Sequence, residues 1–353
     1  MNNPVLTIDT TKLKHNAQTL KTLCGGHGIE ICAVTKAACA DIAVAQAFLD
    51  SGISMLADSR VSNLKRLARF PVSKMMLRLP MLSEAADVVR YADISLNSEL
   101  DTVRALSKAA CRQKKIHGAV IMVEMGDLRE GVLMDDVMPF ASEGLKLPGL
   151  RLYGIGANFN CYGGVIPDAE KLSQLASLAS QIERHFSVRL PIVSGGNSRS
   201  LHLLLEGSMP KGVNHLRLGE SILLGRETSY GKAIEGLFSD VFKLTAEVVE
   251  IKEKPSVPYG NLGLDAFGQK PCFEDKGIMR RAIFACGRQD VLAAQLMPYP
   301  DGMEFIGASS DHMIFDVTRV QACYKVGDTI DFALPYGALV AAFTSKYINK
   351  RYL

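Results

Sequence analysis

From Val5 to about Leu224, short apolar runs alternate with longer stretches in which apolar residues recur every three or four positions. Residues 11–23 carry Leu13, Ala17, Leu20 and Leu23 on one helical face, and residues 41–49, 61–68, 99–111 and 168–186 have the same periodicity. Between them lie runs rich in apolar and β-branched residues, which read as buried strands over 31–34, 54–57, 75–77, 94–96, 119–124, 152–157, 192–193 and 216–224. Eight strands alternating with helices predict a (β/α)8 barrel, whose site lies at the carboxyl ends of its strands. An open doubly wound sheet is the other arrangement, but Gly154-Ile155-Gly156 lacks the third glycine of a dinucleotide fingerprint.

Near Gly236 the rhythm changes. Residues 242–251 alternate at period two, and short runs over 282–285, 303–306, 313–317 and 329–332 are separated by glycine, proline and charged turns. This predicts a smaller all-β domain. The expected division is residues 1–235 for the barrel and 236–353 for the β domain.

The polar residues that end the strands carry the candidate chemistry. Lys36 follows the first run, Ile31-Cys32-Ala33-Val34. A lysine there is either a solvated strand-end residue or an amine placed to form a Schiff base with a carbonyl cofactor. Gly195-Gly196-Asn197-Ser198 ends the seventh run, and Arg217-Leu218-Gly219-Glu220 lies on the eighth. Loops after those two strands commonly bind phosphate, because glycines let backbone N–H groups approach an anion. The three features together suggest a phosphorylated carbonyl cofactor.

Composition narrows the partners. The 353 residues carry a formal charge of +3, which gives no electrostatic footprint for nucleic acid or an anionic membrane. No stretch approaches the roughly 20 apolar residues that span a bilayer, and Met1-Asn2-Asn3-Pro4 has no basic segment leading into an apolar run. The eight cysteines are scattered without a Cys-x-x-Cys pair, and the seven histidines show no metal spacing. The expectation is a cytoplasmic protein with reduced thiols and no metal, acting on a small molecule.

These motifs, in their order and spacing, resemble the alanine racemase-type pyridoxal-phosphate enzymes, and most closely their ornithine racemase branch. The resemblance rests on Val5-Leu6-Thr7-Ile8-Asp9, Ala33-Val34-Thr35-Lys36, Ala57-Asp58-Ser59-Arg60, Leu77-Arg78-Leu79-Pro80 and Leu96-Asn97-Ser98-Glu99. It continues through residues 126–131, Gly196-Asn197-Ser198, Arg217-Leu218-Gly219, Val257-Pro258-Tyr259-Gly260, Ser310-Asp311-His312-Met313 and Pro335-Tyr336.

The resemblance implies pyridoxal 5′-phosphate held covalently by Lys36, which would then act as the base on one face of the substrate's α-carbon, with Tyr259 on the other. Arg129 would donate to the cofactor's phenolic oxygen and help bind substrate, and Arg217 would face the pyridine nitrogen. Ser198, the backbone of Gly219 and Glu220, and Tyr336 would hold the phosphate, with Asn158 and Asn197 in the cofactor site. Asp311 and its backbone neighbours, His312 among them, would help position the substrate carboxylate. The resemblance also implies a homodimer in which Tyr259 acts in trans.

Two positions depart from the alanine-specific branch. Met122 stands where that branch carries a carbamylated lysine, and Asn158 where it carries a histidine. The expected substrate is therefore a basic amino acid, ornithine, lysine or arginine, with Asp127, Glu130 or Asp311 as the partner of its side-chain cation. Rival readings are an alanine or broad-specificity racemase, a basic amino-acid decarboxylase and a non-catalytic cofactor-binding protein. Such decarboxylases set a glutamate of a Glu-Pro-Gly-Arg segment against the pyridine nitrogen; the present chain has Arg217.

Overall fold

The computed structural model describes residues 4–265, 267–268 and 270–353. Met1–Asn3, on which the reading of the amino terminus rests, lie outside them. The chain forms two compact units, one of Thr10–Ser239 and the other of the residues up to Asp9 together with Asp240–Leu353.

The first strand, β1 (Val5–Ile8), precedes the barrel in the chain but belongs to the other unit. The barrel unit then runs α1 (Thr10–Gly25), β2 (Glu30–Val34), α2 (Ile42–Asp50), β3 (Met55–Asp58), α3 (Val61–Leu67), β4 (Ser73–Met76), α4 (Ala85–Tyr91), β5 (Ile94–Asn97) and α5 (Leu100–Gln113). It continues with β6 (His117–Val123), α6 (Val137–Leu145), β7 (Leu150–Ala157), α7 (Ala169–Phe186), β8 (Ile192–Asn197), α8 (Leu201–Leu205), β9 (His215–Leu218) and α9 (Glu220–Leu224). Strands β2 to β9 close in sequence order into a parallel barrel, sealed by the register Glu30↔His215 through Ala33↔Leu218.

The core has two layers because strand side chains alternate. Cys32, Val34, Ala57, Met75, Leu96, Val120 and Met122 form one cluster with Ile94 and Ile192. Ile121, Val123, Ile155 and Val193 pack instead with helical residues such as Val137, Leu172, Leu175 and Ile182. The reading of 216–224 as one strand needs correction. The strand stops at Leu218 and α9 follows after Gly219, which packs against β2, where a Cβ would stand 3.1 Å from Val34 Cβ. A short apolar run does not distinguish strand from helix by itself.

In the other unit, β10 (Phe242–Pro255), β11 (Ile278–Phe284), β12 (Met297–Pro298), β13 (Glu304–Ala308), β14 (Met313–Asp316) and β15 (Thr329–Ala333) form an antiparallel sheet in the order β12-β15-β10-β11-β14-β13. β1 pairs with β10 at Val5↔Thr245 and runs parallel to β16 (Asn349–Tyr352), so the residues before the barrel are taken into this sheet rather than the barrel. Phe284, Phe315 and Phe332 meet with ring centroids 5.4–5.7 Å apart in its core. The expectation of an all-β unit missed one helix, α10 (Tyr336–Thr344), whose apolar residues bury Ala338, Leu339, Ala342 and Phe343. No helix among the described residues is long and apolar enough to cross a membrane.

Two barrel strands begin with buried histidines. His117 Nε2 lies 2.9 Å from Ser95 Oγ, and His215 Nδ1 lies 3.0 Å from Ser194 Oγ. Burial pushes His117 down to about 4 and His215 down to about 3, the Arg217 cation adding to the second. An unfolded chain takes up both protons near pH 6.5, whereas the fold refuses them until those lower values. Stability should therefore fall as pH drops through this window, by up to about 2.7 kcal/mol per pH unit for two protons. Urea midpoints should decline from about pH 7 to 5, and His117→Gln should roughly halve the slope. An unchanged slope in that variant would contradict the assignment of His117.

Candidate active site

Lys36 opens a tight turn, Lys36–Ala38, directly after β2. Its predecessor Thr35 is fully buried and donates its hydroxyl to Asp58 Oδ2 at 2.7 Å, with Ala57 O at 3.2 Å. Asp58, at the end of β3, also accepts from Asn63 Nδ2 at 2.9 Å and from the Arg60 backbone at 3.0 Å. Burial raises the Asp58 carboxyl, and these hydrogen bonds work against the rise. The ends of β2 and β3 are thus joined immediately before the lysine. Beyond it, Cys39 and Ala40 adopt φ of 49° and 51°, a conformation costing roughly 1–2 kcal/mol for a residue with a Cβ. They turn the chain into α2, whose Asp41 cap accepts from the backbone N–H groups of Ala43 and Val44. The Lys36 side chain is exposed and makes no hydrogen bond or ion pair among the described residues.

Across the barrel closure from Lys36 lie β9 and β8. Arg217 is buried, directly opposite Cys32 in the register. Its Nη1 donates to Ser194 Oγ and its Nη2 to Ala157 O at 2.8 Å. Burial draws its pKa down to about 10, which leaves it protonated at neutral pH. Gly156 makes room for it, since a Cβ there would lie 3.0 Å from Ser194 Cβ and 3.5 Å from Arg217 Nη1. Just past β8, Ser198 Oγ accepts from the Ser221 backbone at 3.1 Å. Ser221 Oγ is buried without a hydrogen-bond partner among the described residues.

The loops after β6 and β7 supply the next group. Glu124 Oε1 accepts from the backbone N–H groups of Gly126 (2.6 Å) and Leu128 (3.0 Å). Asp127 is buried and accepts from the backbone N–H groups of Cys161, Tyr162 and Gly163 at 3.0–3.2 Å, so both its oxygens anchor the loop after β7. Arg129 forms a two-point ion pair with Glu130, and this pair above all holds its pKa higher than the ordinary arginine value. The Asn158 carboxamide stands 3.2 Å from Asn197 Nδ2 on one side and 3.2 Å from Arg129 Nη2 on the other, accepting from Arg129 when its oxygen faces that way. Met122 packs in the apolar cluster inside the barrel, and among the described residues Glu130 and Asn158 engage Arg129.

The barrel therefore brings Lys36, Arg129, Asn158, Asn197, Ser198, Arg217, Gly219 and Glu220 to the carboxyl ends of its strands. The remaining sequence candidates lie in the second unit. Tyr259 is 90% exposed. Asp311 accepts from Ser310 Oγ at 2.7 Å and Gln289 Nε2 at 3.2 Å, beside His312 whose backbone donates to Ser309 Oγ. Tyr336 begins α10. Sequence reasoning gave no role to Ser194 and His215. Their signal was a polar residue in each of two adjacent strands, in runs otherwise apolar: Ile192-Val193-Ser194 and His215-Leu216.

A family model described as alanine racemase, N-terminal domain, matches residues 8–227. The chain belongs to this family. It is 50% identical over 351 residues to an ornithine racemase of Acetoanaerobium sticklandii, covering 99% of each chain. It is 38% identical over 351 residues to a lysine racemase of Thermotoga maritima, covering 99% of this chain and 98% of that one. An alanine racemase from Bartonella henselae, solved with covalently bound pyridoxal phosphate, shares the fold with a TM-score of 0.75 at 18% identity, covering all of both chains.

The donor set of this alanine racemase-family barrel fits that cofactor. Two of the five N–H donors of a guanidinium are taken up by Ser194 and Ala157, so a buried Arg217 retains donors for a ring nitrogen. The orphaned Ser221 hydroxyl lies beside Ser198, where an anion would find donors. Lys36 supplies an uncommitted amine.

Proposed function

We propose that this protein is a pyridoxal 5′-phosphate-dependent racemase of basic amino acids, ornithine and lysine foremost and arginine as a further candidate. The observation that carries the reading is similarity along nearly the whole chain to an ornithine racemase and a lysine racemase. Bound pyridoxal phosphate supplies the electron sink that acidifies the substrate's α-proton. Lys36 takes or returns that proton on one face and Tyr259 on the other, since inversion needs a group on each side of a planar carbon. Arg217, protonated at neutral pH, would leave the pyridine nitrogen of the bound cofactor unprotonated, which would moderate the sink and disfavour decarboxylation. Arg129 donates to the phenolic oxygen. Ser198, the Gly219 and Glu220 backbone and Tyr336 would hold the phosphate, with Asn158 and Asn197 bracing the site. The backbone around Asp311 and His312 would help orient the substrate carboxylate.

The working unit is a homodimer in the cytoplasm, with the strand-rich unit of each subunit giving Tyr259 to its partner's barrel. In support, Tyr259 sits in a segment with several other exposed apolar side chains, Leu262, Leu264, Phe267 and Phe273. Such a surface on an isolated chain fits burial against a second copy. Asp127 is already committed to three backbone donors. Both Glu130 oxygens are likewise paired with Arg129, which leaves Asp311 as the better candidate for reading the substrate's distal cation.

The test is incubation with L-ornithine, L-lysine, L-arginine and L-alanine in deuterium oxide, followed by chiral chromatography and mass analysis. The D-enantiomer carrying α-deuterium should form fastest from a basic amino acid. Faster turnover of alanine, or release of carbon dioxide, would overturn the reading.

A further inference from the structure

Arg217, Ser194 and His215 form a buried line across the β8–β9 seam. Ser194 and His215 are paired in the strand register, and His215 and Arg217 share one face of β9. A register shift follows between Ser194 and Asn197, where Gly196 takes a φ of 114°. Ser194 Oγ accepts from Arg217 Nη1 and lies 3.0 Å from His215 Nδ1. His215 Nε2 is buried with no partner among the described residues. All three side chains are buried.

The hydroxyl proton and the tautomer follow from the charge. Arg217 is a cation, so the imidazole is most stable with its Nδ1 lone pair on the cation's side and its proton on Nε2. The Ser194 hydroxyl then donates to Nδ1 while its oxygen accepts from the guanidinium, and each bond polarises the next in the same sense. This arrangement leaves the Nε2–H group without a partner among the described residues.

We propose that Ser194 and His215 are positioning residues that aim Arg217 at the cofactor's ring nitrogen, with His215 fixing the Ser194 hydroxyl so that its lone pair faces the guanidinium. Ala157 O fixes the second terminal nitrogen, and together the two contacts set the plane of the guanidinium. The inference rests on the pyridoxal-phosphate reading of the site. It assigns to this chain a pair through which that reading's key arginine is held.

Full-length Ser194→Ala, His215→Leu and His215→Asn, each prepared as apoprotein, test it by absorbance titration with pyridoxal phosphate. Asparagine can offer an oxygen where Nδ1 stood; leucine cannot. Ser194→Ala and His215→Leu should each weaken cofactor binding about tenfold and shift the bound cofactor's absorbance band alike, while His215→Asn stays within about twofold of wild type. Combining Ser194→Ala with His215→Leu should add little to either alone, because both break one chain.

Equal behaviour of His215→Asn and His215→Leu would overturn the proposal, showing that His215 only fills space, as would wild-type binding and spectrum in Ser194→Ala. Circular dichroism checks folding, and if Ser194→Ala fails to fold the His215 pair decides alone. These readouts need no turnover. Failure of the wild type to racemise any basic amino acid would count against the proposed substrate, while its failure to bind pyridoxal phosphate would defeat both readings.

Discussion

Lys36→Ala should abolish racemisation, lowering turnover by at least about a thousandfold, and should remove the cofactor absorbance that depends on a covalent link to the protein. The size of the effect follows from the geometry. Lys36 is an uncommitted amine at the barrel's carboxyl end, and on the proposed mechanism losing it removes both the covalent attachment and one of two proton-transfer groups. The fold should survive. The side chain is exposed, and the turn is held by Thr35 and Asp58 rather than by Lys36 itself. A Lys36→Ala protein with wild-type stability and no activity is the expected result. Retention of more than about a tenth of the activity would mean that another group acts as base and that the central role of Lys36 is wrong.

Much of this arrangement was legible in the chain because the barrel writes its pattern locally. Each strand is a short apolar run, and each residue at its end, Lys36, Asn158, Ser198 or Arg217, is placed by topology on one face. What escaped the sequence depended on pairings between distant segments. β1 looks like the start of the barrel rhythm, but its partners are Thr245 and Asn349, far along the chain. The run after Leu216 looks like one strand, yet the chain turns into α9 at Gly219, which barrel closure sets against Val34. Helix α10 is short and nearly all apolar, so its sequence carries little amphipathic period.

The site was limited in the same way. The family resemblance marked Arg129 and Arg217, but not what orients them. Glu130 adjoins Arg129 in sequence, whereas Ser194, Ala157 and Asn158 reach their arginines only through the barrel. Asp127 was a plausible partner for a substrate cation by charge alone. The structure shows its oxygens occupied by backbone donors from residues more than thirty positions away.

Tyr259→Phe should separate two events that the wild-type enzyme couples. With the phenolic hydroxyl gone, inversion should fall by about 10²–10⁴-fold, the usual worth of a positioned acid or base. Lys36 remains, so the enantiomer whose α-proton faces it should still exchange that proton for solvent deuterium without inverting. The opposite enantiomer should do neither. Unchanged inversion in Tyr259→Phe would remove the two-base reading altogether.

The same variant tests the assignment in trans. When Lys36→Ala and Tyr259→Phe subunits are mixed and allowed to exchange, half of the dimers are mixed at equal amounts. Each mixed dimer then pairs an intact Lys36 with its partner's intact Tyr259 at one of its two sites. Activity should return to about a quarter of the wild-type value from two nearly inactive parents. If Tyr259 serves its own barrel, no mixed dimer holds an intact site and the mixture stays as inactive as its components. Recovery therefore requires both a dimer and exchange of Tyr259 between its subunits.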